Sequence, residues 1–425
     1  MQHKIPQHSA GAYTEAMAGA VQACVHCGFC LPTCPTYRVL GEEMDSPRGR
    51  IFLMKEVLEG GLALEQTTPY LDNCLGCLAC VTACPSGVQY HELLTPFRAI
   101  AEDKRPRDRL ERLLRQLILE TLPYPWRFRL AARLGRLAKA LNFALPKRLR
   151  DMLQLLPETL AKQERLQGFY AARGKKKASV VLLAGCAQQV LEPDINSASI
   201  RLLQHCGVDV YVPREQSCCG ALAAHTGAMW QAKAFAKHNL KVFLKSYGTP
   251  IDAVISNAAG CGSGLHEYPL WLKGEAEEEA AKTLAQKSQD ISVFLAGLDI
   301  KISQGPEKPL RVAYHDACHL AHAQGVVLEP RQLLSNIPNV KLIDIPDSEI
   351  CCGSAGTYNL EHPDIAQELG RDKAQGILAT KADIVVTGNI GCLTQLKNHL
   401  AREGVPVLHL VQFLDRLLGQ RPLSP

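Results

Sequence analysis

Eight of the seventeen cysteines in this 425-residue sequence stand in two short runs with the same spacing. Each run reads C-x2-C-x2-C-x3-C, and a proline directly follows its last cysteine. The first run holds Cys24, Cys27, Cys30 and Cys34, and the second holds Cys74, Cys77, Cys80 and Cys84. Three thiolates spaced two residues apart can converge on one centre around a tight turn, so this spacing predicts metal or redox chemistry.

The same run is found in bacterial ferredoxins, where the fourth cysteine ligates the other of two clusters. On this pattern Cys24, Cys27, Cys30 and Cys84 bind one [4Fe–4S] cluster, and Cys74, Cys77, Cys80 and Cys34 bind the second. A pair of zinc sites is the alternative, but zinc motifs usually join two C-x2-4-C knuckles over a longer gap. Gly28 and Gly76 lie inside the turns, where the backbone approaches the cluster, and His26 is expected at the surface.

Eight further cysteines occupy matched positions in the C-terminal half. In each set an apolar run leads into one cysteine, a Cys-Cys-Gly triplet follows, and a second apolar run leads into the last cysteine. The sets are Cys186, Cys218, Cys219 and Cys261, and Cys318, Cys351, Cys352 and Cys392. We interpret them as a candidate third redox site, in each repeat or shared between them, with packing of buried thiols as the alternative.

The remaining cysteine and several histidines receive structural interpretations. Cys206 has no counterpart in the second set and is expected in the core. His315, Asp316 and His319 flank Cys318, where they could transfer protons or cap a helix, and we favour the structural role. The other histidines considered are scattered and are treated as structural: His205, His225, His266 and His322.

Four regions position these cysteines. We predict that residues 1–100 form a helical two-[4Fe–4S] ferredoxin-type domain, in which residues 48–61 form one helix between the cysteine runs. Residues 101–178 predict a basic helical linker. We predict two cysteine-rich repeats, the first at residues 179–305 and the second at residues 306–425. Each has strands and helices in the βαβ order of a parallel sheet. The predicted fold class is therefore multidomain, α+β and α/β, and we expect a pseudo-twofold between the repeats.

Bulk composition restricts the function. A net charge of +5 does not by itself indicate nucleic-acid binding. No apolar run is long enough for a spanning helix, and the N-terminus has no signal-peptide pattern, so a cytoplasmic, reducing location is expected. No G-x-G-x-x-G follows a predicted strand, so we expect no flavin or nicotinamide site in this chain.

The segment 105–150 is rich in leucine and arginine at helical spacing. Pro123 and Pro125 should divide it into two helices. Such helices can lie on an anionic membrane surface, with Trp126, Phe128 and Phe143 at the interface, or can pack on the redox domains or on a partner subunit. The two interpretations remain open.

The order of these parts resembles the iron–sulfur subunits of quinone-linked 2-hydroxyacid dehydrogenases, above all those of bacterial glycolate oxidase (glycolate dehydrogenase). The resemblance covers nearly the whole chain and is weakest in the basic linker. Its most specific segments are SPRGRI and CCGSAGTYNLEHPD. Heterodisulfide reductase and anaerobic glycerol-3-phosphate dehydrogenase subunits share the same parts.

The resemblance implies a role as the electron-transfer subunit, with no catalytic residue of its own, in an acceptor-linked oxidoreductase. FAD-binding partner subunits would oxidise glycolate to glyoxylate and pass electrons to this chain, and from it toward the quinone pool at the inner face of the cytoplasmic membrane. The alternatives are a heterodisulfide-reductase-like catalytic subunit, an iron–sulfur subunit of a lactate or glycerol-3-phosphate dehydrogenase, and a zinc-binding scaffold. Heterodisulfide-reductase-type repeats end in C-x-x-C, whereas Gly264 and Gln395 stand at the second position, which argues against five-cysteine ligation.

Overall fold

The two N-terminal cysteine runs lie in loops between short helices. The computed structural model describes residues 1–425 except 8, 106, 108, 140–149, 151, 154–155, 163, 246, 299, 301, 304 and 424–425. The first helices are α1 Thr14–Ala23, α2 Pro35–Leu40, α3 Pro47–Leu58, α4 Leu64–Asp72, α5 Ala79–Thr82 and α6 Tyr90–Lys104, with 3-10 turns at Gly11–Tyr13 and Glu43–Asp45. Each loop therefore has a helix on both sides to fix its direction.

Helix α3 is the helix predicted between the two cysteine runs. The Ser46 side chain caps it by accepting a hydrogen bond from the backbone N–H of Gly49, and Pro47 occupies the first turn. The chain leaves the helix through Gly60, which has a positive φ of 79°. The cap, the proline and the terminal glycine are all readable from the sequence, so this element is confirmed.

Two amphipathic helices follow the ferredoxin-type region: α7 Arg109–Thr121 and α8 Pro125–Ala138. They are separated at Pro123 and Pro125, as predicted, because a proline interrupts the hydrogen bonding of a continuous helix. Helix α6 runs through residue 104 and so continues past residue 100. None of the described helices is long and apolar enough to cross a lipid bilayer.

The first cysteine-rich repeat is built on a mainly parallel sheet. Its strands are β1 Phe169–Tyr170, β2 Ala178–Leu183, β3 Val208–Tyr211, β4 Ala253–Ser256 and β5 Ser288–Asp290, in the order β1-β3-β2-β4-β5. Only β1 pairs antiparallel, along the edge at β3. The helices are α9 Gln188–Leu191, α10 Asp194–His205, α11 Ala221–His225, α12 Met229–Phe243, α13 Ala259–Trp271, α14 Glu278–Lys287 and α15 Ile291–Gly297.

The second cysteine-rich repeat has a fully parallel sheet. Its strands are β6 Leu310–His315, β7 Val340–Ile343, β8 Ile384–Thr387 and β9 Val407–His409, in the order β7-β6-β8-β9. Its helices are a π-helical turn at His319–Ala323, then α16 Leu328–Ser335, α17 Tyr358–Glu361, α18 Pro363–Ala379, α19 Ile390–Leu400 and α20 Leu410–Leu418. The βαβ prediction is confirmed for both repeats.

The two sheets share one strand order. If β1 is set aside, β3-β2-β4-β5 and β7-β6-β8-β9 both read second, first, third, fourth strand. The second strand therefore lies on one side of the first strand, and the third strand lies on its other side. Open α/β sheets place ligand sites at such a switch point between the first and third strands. Cys186 and Cys318 follow the first strands, and Cys261 and Cys392 lie just after the third. The fold thus brings matched cysteines to one edge of each sheet.

The repeats and the N-terminal region form one packed body. A single apolar core contains side chains of both sheets, for example Val180 and Val385. The Tyr13 hydroxyl donates to the Trp271 carbonyl (2.9 Å), which ties the N-terminus to the first repeat. The Tyr358 hydroxyl of the second repeat donates to the carbonyl oxygen of Asn73 (2.9 Å), one residue before the second cysteine run.

Candidate metal centres

The cysteines predicted for the first cluster line one cavity. Its walls include Cys24, Cys27, Cys30 and Cys84, together with Cys80, His26, Arg48 and Tyr90. Cys84 thus reaches the first run from the second, as the predicted ligand exchange requires. Burial raises the pKa of the Cys30 thiol to about 11. A thiolate in such a place needs the positive charge of a metal, so the donor set fits an iron–sulfur cluster.

Cys34 leaves its own run and lies with the second. It precedes α2, is 6% exposed, and its Sγ lies 3.3 Å from the hydroxyl of Thr36. Burial raises the pKa of Cys77 well above its usual range, and Cys318, Cys34 and Cys74 add to the effect as close thiols. Cys34 therefore faces the cysteines that it was predicted to join. The ligand assignment itself remains a prediction.

The sequence reading missed Arg50 as part of this site. The side chain is 1% exposed, its Nη2 pairs with Oδ1 of Asp45 at 2.9 Å, and its Nε donates to the Tyr70 carbonyl at 2.6 Å. Its Nη1 lies 3.8 Å from Sγ of Cys34. A buried cation beside these sulfurs favours their anionic form. The signal was present in the segment SPRGRI, where a charged residue falls on the buried face of α3.

Backbone donors and a second arginine also face the second run. The N–H of Gly76 donates to Sγ of Cys74 at 3.4 Å, from a backbone with φ of 65°. Nη2 of Arg98 donates to the Cys74 carbonyl at 2.6 Å. Burial opposes ionisation of Cys74, but Arg50 and Arg98 outweigh it and lower the pKa of this thiol. The predicted role of Gly76 in the turn is confirmed, and Gly28 likewise has a positive φ, of 88°.

In the first repeat four thiols are neighbours. Sγ of Cys218 lies 3.5 Å from Sγ of Cys186, and Cys219 interacts with Cys218 and Cys261. Gly220 has φ of 87°, so the chain turns after the cysteine pair and both thiols remain in the group.

The second repeat repeats this geometry. Sγ of Cys318 lies 4.0 Å from Sγ of Cys351, and Cys352 interacts with Cys351 and Cys392. Gly353 has φ of 84°, and a Cβ there would lie 2.5 Å from the Ala366 carbonyl oxygen, so only glycine fits. Each repeat therefore gathers the four cysteines assigned to it from the sequence.

A cysteine at the second position of a C-x-x-C pair would not fit in either repeat. A Cβ at Gly264 would lie 2.9 Å from Cβ of Ala221. The side chain of Gln395 is 3% exposed and donates to the Ala366 carbonyl at 3.0 Å. These contacts support the inference, made from the missing C-x-x-C pairs, that each set has four cysteines.

The second-repeat cysteines pack against the second N-terminal run. Cys77 and Cys351 are buried in one apolar cluster with Tyr358, and Cys318 packs against it. Cys318 is also close enough to Cys77 that its negative charge, when ionised, adds to the burial that raises the pKa of the Cys77 thiol. Three of the four cysteine groups are thus contiguous, in the order first run, second run and second repeat.

His225 makes contacts that the sequence did not predict. Its ring lies 5.1 Å from that of His319, and its Nε2 lies 3.6 Å from the buried carboxylate of Glu267, which is compatible with the structural role expected for it. The two rings meet where both repeats approach the second run. The sequence offered no signal for this contact, since the two positions are far apart in the chain.

The residues around Cys318 divide into different roles. Asp316 accepts two hydrogen bonds from Arg331, both at 2.7 Å, which is the structural role favoured from the sequence. One ring nitrogen of His319, Nδ1, lies 2.6 Å from the hydroxyl of Ser263, and the side chain is half-buried. His315, at the end of β6, is 1% exposed, and one of its ring nitrogens lies within 4.8 Å of Sγ of Cys352 and Cys392.

The linker helices present apolar side chains to solvent. The exposed residues are Leu110, Leu113, Leu117, Trp126, Leu130, Leu134 and Leu137. The expectation that Phe128 lies at a membrane interface is wrong, because Phe128 is 8% exposed and packs against Val190 of the first repeat. Phe143 lies outside the described residues.

Models of two known protein families match three segments of the chain. Residues 20–88 match the family described as a 4Fe-4S dicluster domain. Residues 180–266 and 312–397 each match the family described as a cysteine-rich domain.

Three relatives match this chain to different extents. The glycolate oxidase iron–sulfur subunit of Escherichia coli strain K12 is 37% identical over 94% of both chains. A probable glycolate oxidase iron–sulfur subunit of Bacillus subtilis strain 168 is 37% identical over 95% of both. Lactate utilization protein A of Oceanobacillus iheyensis is 32% identical over 56% of this chain and 96% of its own length.

Proposed function

The chain belongs to the glycolate oxidase iron–sulfur subunit family, and we propose that it carries electrons from glycolate, oxidised to glyoxylate by a flavin-bearing partner, toward the quinone pool. It is the electron-transfer subunit of an oxidoreductase complex, and its cofactors are iron–sulfur clusters. The observation that carries the proposal is the contiguity of the three cysteine groups, which provides a path through the protein.

We assign the ligands as the spacing predicts. Cys24, Cys27, Cys30 and Cys84 hold the first [4Fe–4S] cluster, and Cys74, Cys77, Cys80 and Cys34 hold the second. The shared cavity of the first set and the burial of Cys34 among the second set support this assignment. Cys80 belongs to the second set and also borders the cavity of the first, so the two clusters would be neighbours.

Electrons enter at the first cluster. Cys27 is exposed, and two large apolar side chains on the same loop, Val25 and Phe29, are 65% and 66% exposed. An apolar rim around an exposed cluster is the kind of surface that a redox partner covers. We place the FAD-binding subunit there, which puts its flavin on the side of the first cluster.

The α7–α8 face gives the complex a peripheral membrane contact. Its exposed leucines stand among arginines, for example Leu113 beside Arg112 and Leu134 beside Arg133. Apolar side chains with flanking cations suit an anionic lipid surface. Leu113→Glu combined with Leu134→Glu should abolish co-sedimentation with anionic vesicles, whereas Leu328→Glu, an exposed leucine on α16, should not. Unchanged co-sedimentation of the double variant would show that these helices serve another purpose.

Glycolate is favoured over lactate by the extent of the similarity. The glycolate oxidase subunits match along both the dicluster region and the repeats, whereas the lactate utilization protein matches just over half of this chain. The test is to express the chain with the FAD-binding subunits and measure quinone-analogue reduction with glycolate and with lactate. We expect glycolate-dependent turnover that requires this chain. Equal turnover without the chain, or turnover with lactate alone, would refute the proposal.

A further inference from the structure

The two cysteine-rich repeats differ at one buried position beside their metal-binding cysteines. Leu183 ends β2 three residues before Cys186, and His315 ends β6 three residues before Cys318. Both side chains are 1% exposed. The matched positions therefore hold a side chain that cannot bind a metal in the first repeat and one that can in the second.

The imidazole of His315 lies among sulfurs. One of its ring nitrogens and the Sγ atoms of Cys352 and Cys392 all lie within 4.8 Å of one another, and all three residues are buried. Nδ1 of His315 is buried without a hydrogen-bond partner in the described structure. A buried ring nitrogen without a partner is costly unless something occupies its lone pair or takes its proton.

The imidazole of His315 faces the thiol of Cys352, and the other polar groups nearby are engaged elsewhere. The carboxylate of Asp316 is held by two hydrogen bonds from Arg331. Asn389 donates to Sγ of Cys392 at 3.5 Å and so faces the sulfur. In a metal site of this kind, the side-chain amide of Asn389 would support the Cys392 thiolate from outside the ligand set.

We propose, on the basis of the proposed function, that His315, Cys352 and Cys392 bind one iron atom of a third centre in the second repeat, which Cys318 and Cys351 complete. Two sulfur ligands on one tetrahedral metal lie about 3.8 Å apart when the metal–sulfur bonds are about 2.3 Å. The three donor atoms lie within 4.8 Å of one another, so a single metal atom between them can bind all three.

The position of the site makes iron the expected metal. Cys318 and Cys351 pack against Cys77 of the second cluster, so the third centre is the next station for an electron. One electron leaves the reduced second cluster and converts a ferric iron to a ferrous one, and no bond is formed or broken. Replacing thiolate with neutral imidazole raises the reduction potential of an iron–sulfur centre, which would draw the electron from the cubane into the second repeat.

The test uses the full-length chain with ¹⁵N-labelled histidine, reconstituted with iron and sulfide under anaerobic conditions and reduced in steps. We expect more than about eight irons per chain, and a ¹⁵N coupling of a directly bound imidazole in pulsed EPR of the third signal. His315→Leu reproduces the first repeat and should lose that coupling, the third signal and the extra iron. His205→Leu, at an exposed position, should retain all three.

The wild-type protein alone decides the matter if the variant fails to fold. About eight irons with no histidine coupling, or a zinc ion in place of the extra iron, would overturn the proposal. The signals of the two N-terminal clusters and their reduction by glycolate are recorded in the same samples. Their persistence would show that the proposed function stands while the third centre fails.

Discussion

Nε2 of His319 lies 3.2 Å from the carbonyl oxygen of Gly76, so a histidine of the second repeat contacts the loop that carries the second cysteine run. The ring is oriented from its other side by the hydroxyl of Ser263, 2.6 Å from Nδ1. This one side chain therefore joins the first repeat, the second repeat and the loop around the second cluster. The contiguity proposed for the electron path depends on such contacts.

Removing this ring should loosen the junction. His319→Ala removes the contact to the half-buried Gly76 carbonyl and leaves the Ser263 hydroxyl with the Gly260 carbonyl alone, which should lower the free energy of unfolding by about 1–3 kcal/mol. His319→Gln can still reach the carbonyl and should recover part of the loss. Chemical denaturation measures both, with His205→Ala as an exposed control. Equal stability of His319→Ala and the control would contradict this role.

The ligand assignment predicts a selective loss of one cluster. Cys30→Ser removes a thiolate of the first cluster, so its reduced EPR signal should disappear while the second signal remains. Cys206→Ala is the matched control, because Cys206 is a buried cysteine in the core shared by the two sheets. Iron content and EPR after anaerobic reconstitution measure the effect. Wild-type iron in Cys30→Ser would refute the assignment.

Arg50 should set the potential of the second cluster. Arg50→Gln removes a buried cation near Cys34, so the reduced cluster loses stabilisation and its midpoint potential should fall. The same change leaves the Asp45 carboxylate uncompensated and should destabilise the protein by about 3–5 kcal/mol. Arg50→Gln with Asp45→Asn should restore much of the stability. Potentiometric EPR titration reads the potential, and an unchanged value in Arg50→Gln would contradict the account.

The glycine of the second Cys-Cys-Gly triplet should tolerate no side chain. Gly353→Ala places a Cβ against the Ala366 carbonyl in a left-handed conformation, so the loop must shift and the cysteine group must open. Gly356 has a similar φ of 65° with open space around it, so Gly356→Ala should cost only about 1 kcal/mol. Thermal unfolding and iron content of the two variants compare them. Equal behaviour of the pair would show that the close approach is unimportant.

Because His409 is buried, the free energy of unfolding should fall in mild acid. Burial lowers the pKa of His409 to about 4, whereas the unfolded chain binds this proton near the usual value. The stabilising contribution is therefore complete above about pH 6.5 and is lost as the pH falls toward 4, by about 3 kcal/mol in all. His409→Asn keeps an acceptor for the Val411 N–H but does not titrate. The variant should lose less stability than the wild type between pH 7 and pH 5, and identical slopes would refute the prediction.

Local sequence signals predicted the parts of this fold that depend on local chemistry. Helix α3, the two linker helices, and the strands that lead into Cys186 and Cys318 follow from capping residues, prolines and apolar periodicity. The ligand groups in the repeats follow from the matched spacing of the cysteines. The edge strand β1 and its antiparallel pairing carry no such signal, because two residues are too few for a pattern.

The sequence alone could not predict contacts between segments that are far apart in the chain. The meeting of His225 with His319, and of Cys77 with Cys318, depends on how the N-terminal region packs against the repeats. The sequence could not decide between a membrane interface and packing on the redox domains for Phe128, since an aromatic residue on an amphipathic helix suits both equally well. His315 was visible beside Cys318, but only the fold shows that it faces Cys352 and Cys392.

The most direct test of the electron-transfer role adds glycolate to the complex of this chain with its FAD-binding partner under anaerobic conditions and follows the cluster EPR signals by freeze-quenching. The account predicts that the two N-terminal clusters become reduced when glycolate and the partner are both present and are reoxidised when a quinone analogue is added. Clusters that stay oxidised while the quinone analogue is reduced at the full rate would contradict it.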